Sequence, residues 1–411
     1  MTLRRRSMLA SLPALLGGAG PARTAPSPGP ATAAAPAATG TGAAPAAPGT
    51  GAPPAGVTRR PLHFPADHAA HADTAIEWWY LTGWLAASAQ GDAARRPDFG
   101  FQVTFFRSRT GLAAASASRF AARQIVFAHI ALTDLATAIG PPAAAPRLQH
   151  DQRAAREGFS LARTPQPGEA LQSVQLRDWV LARPGADGRG PLLTVAVRCA
   201  AFSLRLQIEG TQPLLLQGDD GYSRKGPRES QASLYYSEPQ LAARGELVQA
   251  GRAAALAVSG RAWLDHEWSN ELLPPEAVGW DWLGINLFDG SALTAFQLRR
   301  ADGSALWAGG SHRAGTPGAP ARAFAPVEVS LQPGRRWRSA ATGADYPVEW
   351  TVATPAGRWS LRALLDAQEL DSRVSTGAVY WEGLAELRDE RGTRVGLGYL
   401  EMTGRAGRLR L

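Results

Sequence analysis

The runs Gly260–Asn270 and Gly279–Asn286 together hold four tryptophans, three carboxylates and one histidine. So much indole surface in so few positions must be packed against something. Strand alternation puts Trp263, Asp265 and Glu267 on one face of the first run and Leu264, His266 and Trp268 on the other. In the second run Trp280, Trp282, Gly284 and Asn286 share a face opposite Asp281, Leu283, Ile285 and Leu287. The link between them contains Pro274 and Pro275, so the two runs are expected to fold back as an antiparallel hairpin. Two registers are open. With Trp268 facing Trp280, Glu267 lies across from Asp281, and paired carboxylates raise one pKa. A slip of one residue sets His266 against Asp281 instead. The plainer alternative is that the rings are barrel packing and the charges sit on a wet face.

The rest of the chain repeats the strand pattern. Short alternating runs bounded by Gly, Pro and Asp recur, and Gly and Pro number 44 and 31, which reads as all-β. Strands are expected at 76–85, 99–107, 124–134, 171–180, 192–197 and 202–208. After the central runs about eight more follow, at 292–299, 305–312, 325–331, 337–340, 347–352, 359–365, 378–387 and 395–403, enough to close a barrel. Residues 140–190 read as a long polar insertion, and a helical turn is expected near 238–244.

Residues 1–20 have a basic start (Arg4, Arg5, Arg6) and an apolar stretch from Met8 to Leu16, too short to span a membrane. They read as an export signal, and Arg5–Leu9 is similar to the twin-arginine type, which implies the twin-arginine export machinery as partner and an exported, periplasmic or secreted protein. Residues 21–56 are nearly all Ala, Pro, Gly and Thr and read as a disordered tether, long enough to let the folded part stand near a membrane surface. The formal charge of +8 owes half its value to Arg4, Arg5, Arg6 and Arg23. Of 43 basic residues only Lys225 is a lysine, and the arginines form no stripe, which excludes nucleic acid as partner. Cys199 is single, so neither a disulfide nor a Cys-based metal motif is expected.

Several side chains have two readings. Glu77, beside Trp78, Trp79 and Tyr80, is either a surface residue at a strand mouth or a desolvated acid. His129 reads as a core histidine. His68, His71 and Asp73 have a loose metal-like spacing without a matched partner set. The Asp219–Gly221 turn is either a solvated turn or a cation loop, but it lacks EF-hand spacing. Tyr235 and Tyr236 sit at a strand end, within reach of a pocket. No Gly-x-Ser-x-Gly elbow is present, which leaves a serine hydrolase unsupported.

Asp67–His68, Glu77–Tyr80, Gly83, Phe105–Arg107, His129, Tyr235–Ser237, Gly260–Trp268, Trp280–Trp282, Arg299–Gly303, Tyr380–Gly383 and Gly398–Gly404 occur in an order that resembles the AttH-like family. That family is also known as hydroxyneurosporene synthase (carotenoid 1,2-hydratase), and its members are often labelled predicted secreted hydrolases. The resemblance implies two lipocalin-like antiparallel β-barrel domains packed together, here 57–272 and 273–411, with an apolar pocket in or between them. Its carotenoid branch adds water across a terminal C=C bond without a redox cofactor.

The expected function is therefore a cofactor-independent hydratase or lyase acting on an apolar isoprenoid, lipid or polyketide-like small molecule. The alternative is an exported carrier of an apolar ligand. Protonating an alkene needs an acid that keeps its proton at neutral pH and a π-rich wall for the cation. Asp265, Glu267, Asp281 and Glu77 are the candidate acids, and His266 the candidate for orienting water. Trp79, Tyr80, Tyr235, Tyr236, Trp263, Trp268, Trp280 and Trp282 are the candidate binding wall. No metal and no cofactor are expected.

Overall fold

A computed structural model describes residues 56–409 apart from 88–94, 112–116, 119, 136–144, 164–171, 185–191 and 253. The expected export signal and all of the tether but Gly56 lie outside the described residues.

The first half of the chain supplies β1 (Ile76–Ala86), β2 (Phe99–Arg109), β3 (Gln124–Asp134), β4 (Arg147–Arg156), β5 (Ser160–Ala162), β6 (Gln172–Leu176) and β7 (Trp179–Arg183). There follow β8 (Leu193–Arg198), β9 (Phe202–Glu209), β10 (Leu215–Leu216), β11 (Tyr222–Arg224), β12 (Ala232–Gln249) and β13 (Leu256–Ser269). They form one 13-stranded sheet in the order β4-β3-β2-β1-β13-β12-β9-β8-β7-β6-β5, with β10 and β11 also on β12. The sheet curls until β3 and β4 approach β5 and β6, which nearly closes a barrel.

The second half supplies β14 (Gly279–Leu287), β15 (Ala292–Arg299), β16 (Ala305–Arg313), β17 (Ala321–Phe324), β18 (Ser330–Pro333), β19 (Arg336–Arg338) and β20 (Asp345–Pro347). It ends with β21 (Glu349–Thr354), β22 (Gly357–Ala363), β23 (Glu369–Ser372), β24 (Ala378–Arg388) and β25 (Arg394–Met402). Apart from the β19–β20 ribbon these make a 10-stranded sheet, β17-β16-β15-β14-β25-β24-β22-β21-β18, with β23 on β24. The chain is thus two lipocalin-like barrels in series, and every strand pair is antiparallel.

Burial shows where the barrels meet. β8 and β9 alternate between buried and accessible residues, as strands with one wet face must. By contrast, β1, β14 and β15 are buried on almost every residue. One face of each fills its own barrel and the opposite face meets the other barrel. Trp79, Leu81, Phe105 and Trp179 belong to the interior of the first barrel, and Tyr346, Trp350 and Trp381 to that of the second. Tyr80, Trp84, Trp263, Trp282 and Tyr399 form a third cluster between them. Each such ring hides about 150–250 Å² from water, which at about 25 cal/mol per Å² is at most about 4–6 kcal/mol.

Four sequence expectations are corrected. The two tryptophan-rich runs are not a hairpin: β13 pairs with β1 and β12, and β14 with β15 and β25. His266 lies across from Trp79 and Tyr236, and Asp281 across from Gln297 and Met402, so neither expected register exists. A run buried on both faces takes two neighbours from its own barrel, and the proline link crosses from one barrel to the next. Second, the 140–190 insertion contains β4 and β5. Third, the strand expected at 171–180 is broken by a turn at Arg177, whose φ is 56°. Fourth, residues 238–244 are part of β12, with a bulge between Glu238 and Leu241 and Gln240 at φ 57°. That bulge points Gln240 at the second barrel. Its backbone N–H donates to Asn286 Oδ1 (2.7 Å), and its side-chain amide donates to the Leu287 and Ser291 carbonyls (2.8 Å each).

Candidate active site between the barrels

A cavity of about 120 Å³ opens where the two all-buried faces meet. The first barrel contributes Trp78 and Tyr80 from β1, Tyr235 from β12, and Asp265 and Glu267 from β13. From the second come Trp280 and Trp282 on β14, Phe296 on β15, Tyr380 on β24 and Glu401 on β25. Strand parity makes this wall. In β13 the residues alternating with Trp263 face outward toward the second barrel, and in β14 those alternating with Trp280 face back.

The carboxylates differ in their surroundings. Asp265 accepts from Trp263 Nε1 at 2.7 Å and from the Ser237 hydroxyl, both neutral donors. Burial pushes its pKa up to about 7, against those hydrogen bonds and with help from nearby Glu267. Glu401 accepts from Trp280 Nε1 at 3.0 Å. Burial also pushes it up to about 7, assisted by the charges of Asp265 and Glu267. Glu401 lies directly across β24–β25 from Glu382. Burial, reinforced by Glu401, raises Glu382 well above the usual carboxylate range. The Gln102 amide donates to Glu382 at 2.8 Å, a hydrogen bond from one barrel to the other. The Tyr80 hydroxyl is buried against Glu382 without a well-formed hydrogen bond. Glu267 is different again: it accepts from Ser233 and pairs with Lys225 Nζ at 3.0 Å. Among the described residues Lys225 is the one lysine or arginine on the cavity wall, and its ammonium stands 4.7 Å from the Tyr235 ring centroid.

The remaining sequence candidates lie elsewhere. Asp281 is fully buried inside the second barrel, paired with Arg299 (2.9 Å) and Arg405 (2.8 Å) and bonded to Gln297. Glu77, Trp79, Tyr236, His266 and Trp268 are on the inward faces of β1, β12 and β13. There Glu77 accepts from Arg107 Nε (2.9 Å) and contacts His71 Nδ1 and His266 Nε2 (2.8 Å each). Tyr236 OH bridges His266 Nδ1 (3.1 Å) and His68 Nδ1 (2.8 Å). Trp79 stacks on His266 and Trp268 on His71. Glu77 is therefore neither of the things the sequence allowed. It is fully buried, yet although burial raises its pKa, the hydrogen bonds from His266 and His71 outweigh that and hold it at about 2. Burial keeps His266 neutral, its pKa lowered to about 4.

His71, Glu77 and His266 bring three possible metal-ligand atoms within 4.8 Å of one another. However, both Glu77 oxygens are already committed to hydrogen bonds, one of them from the Arg107 cation, so the arrangement is a self-satisfied charge cluster. Of the other sequence readings, Asp219 pairs with Arg59 in a tight turn. His129 lies at the cavity edge, bonded to Tyr380 OH (2.7 Å) and Ser375 (2.8 Å).

Reasoning from the sequence missed Trp78, Lys225, Phe296, Tyr380, Glu382 and Glu401 as wall or neighbouring residues. Tyr380–Gly383 and Gly398–Gly404 were visible as motifs. What was hidden is the β24–β25 register that sets Glu382 beside Glu401 and turns Glu401 toward β13 and Glu382 toward β1 and β2.

The AttH-like family model matches residues 55–405. The solved structure of an AttH-type protein from Nitrosomonas europaea is 43% identical, with a TM-score of 0.72 over 85% of this chain and 98% of that one. Kievitone hydratase from Nectria haematococca is similar in fold, at 14% identity and a TM-score of 0.60 over 86% of this chain and 94% of that one. No curated protein matches the chain.

Proposed function

The chain belongs to the AttH-like family, and from that premise we propose that it is a cofactor-independent hydratase or related lyase that protonates a C=C bond of an apolar isoprenoid, lipid or polyketide-like substrate between its barrels. One observation carries the reading. Asp265 and Glu401 come from different barrels, are buried beside indole rings, and both have pKa values pushed up to about 7 by burial. A carboxyl that still holds its proton for a substantial fraction of the time at neutral pH can act as general acid there.

The chemistry balances without a cofactor. The carboxyl O–H bond breaks as its proton forms a C–H bond with one alkene carbon, leaving a carbocation on the other and a carboxylate on the protein. Trp78, Trp280, Trp282 and Tyr80 line the cavity, and each ring whose face meets that cation is worth about 0.5–2 kcal/mol in a desolvated site. Water adds to the cation and returns a proton to the carboxylate, so the enzyme ends as it began. His266 and Asp281 contribute no atom to the wall, which leaves Glu267, held by Lys225 and Ser233, as the group to orient the water.

The carrier reading has its own support: Asp265 Oδ1 is already engaged by Trp263 and Ser237. Incubation with alkenes extracted from the producing cells separates the two, because an enzyme adds the mass of one water and a carrier returns its ligand unchanged. The apolar stretch after Arg4–Arg6 supports export through the twin-arginine route as a further part of the proposal.

A further inference from the structure

A second opening adjoins the cavity. It is an open groove of about 480 Å³ between the β11 turn of the first barrel and β16–β17 of the second. Tyr222, Trp307 and Phe324 give it apolar walls, and Arg59 and Arg224 stand along it. Among the described residues Phe296 is the one that lines both spaces. Its ring is 7% exposed and rests over Gly309, where even a Cβ would lie 2.8 Å from the ring's ζ carbon. On its other side the Lys225 ammonium sits 4.4 Å from the ring centroid. The ring is therefore seated on a backbone with no side chain, beneath one cation–π contact and beside the interfacial apolar cluster, with the smaller cavity on one side and the larger groove on the other.

Size gives this arrangement a consequence. An apolar cavity of about 150 Å³ admits a benzene ring, so about 120 Å³ holds roughly six carbons. A longer ligand needs further room, and the groove on the far side of Phe296 offers it. We propose that Phe296 is a movable partition and that the ligand is a linear chain, with its reacting end in the smaller cavity and the remainder laid along the groove. The proposal rests on the reading that the cavity is the site, but it concerns binding alone and makes no use of turnover.

A series of straight-chain alcohols from 1-hexanol to 1-dodecanol tests it, with Kd read from the fluorescence of the cavity tryptophans. Each buried methylene is worth about fourfold in affinity. The wild-type protein is expected to gain about that factor per carbon beyond six, because the chain continues into the groove. Phe296→Trp, which enlarges the partition, is expected to flatten the series beyond six carbons. Gly309→Ala, which puts a methyl under the ring, is expected to flatten it as well and gives a second variant should the first not fold. A wild-type series that levels off at about six carbons, or a 1-dodecanol affinity unchanged in both variants, overturns the proposal. If the series lengthens as expected while no alkene gains water, the partition stands and the hydratase reading falls.

Discussion

Two buried carboxyls of the same barrel show how neighbours decide what burial does. Asp265 has only neutral donors and another carboxylate around it, and its pKa rises to about 7. Glu77, more deeply buried, is surrounded by Arg107, His71 and His266 and stays ionised. The first can give a proton and the second cannot. Asp265→Asn and Glu401→Gln are each expected to lower turnover by about 10²–10⁴-fold while leaving ligand Kd nearly unchanged, as steady-state rates and a binding titration will show. The two sites interact, so kcat/KM should fall with rising pH over a broad span centred near 7. Stability gives a second check with a definite sign. A carboxyl whose folded pKa is above its unfolded one stabilises the fold fully at low pH and loses that contribution as pH climbs toward 7. Asp265→Asn should therefore gain roughly 2 kcal/mol relative to wild type between pH 5 and 7, read from urea midpoints. Alternation alone made Trp263, Asp265 and Glu267 legible as one face. It could not show that the equally suggestive Asp281 faces Arg299 and Arg405, because Arg405 is brought there by the chain's last segment.

Strands buried on both faces blur the pattern by which strands are recognised. β1 and β14 read as strands because tryptophan, tyrosine and β-branched residues crowd them, while β4, with no fully buried residue, reads as loop. Pairing partners were less legible than the strands themselves. The proline link invited a hairpin, whereas backbone hydrogen bonding on both edges of β13 is completed by β1 and β12. The inward face of β1, β2 and β13 carries the cluster of Glu77, Arg107, His71 and His266, which joins those strands to the segment at 60–75. Arg107→Met removes the cation from a fully buried pair and should cost about 3–5 kcal/mol in a urea titration. Since this cluster contributes nothing to the cavity wall, the variant should keep its ligand affinity wherever it remains folded.

The site exists only because two barrels are pressed together, each bringing an acid and part of an aromatic wall. Gly100 on β2 shows how close they are: a Cβ there would meet the Tyr399 hydroxyl at 2.8 Å and Leu384 Cβ at 2.9 Å, both in the second barrel. Gly100→Val should wedge the barrels apart, shifting tryptophan emission to longer wavelength and weakening ligand binding about tenfold or more with the circular dichroism of the strands retained. The two-barrel plan was legible through strand count and motif order. The cavity was not, because its residues come from nine strands of two sheets and meet only after both have closed. The most direct measurement is an infrared pH titration of the carboxylic C=O stretch in wild type, Asp265→Asn and Gly100→Val. The account predicts a band in wild type that disappears with a midpoint near 7, is diminished in Asp265→Asn, and shifts toward the ordinary midpoint of about 4 when Gly100→Val opens the interface. A wild-type band that titrates only at about 4 would contradict it.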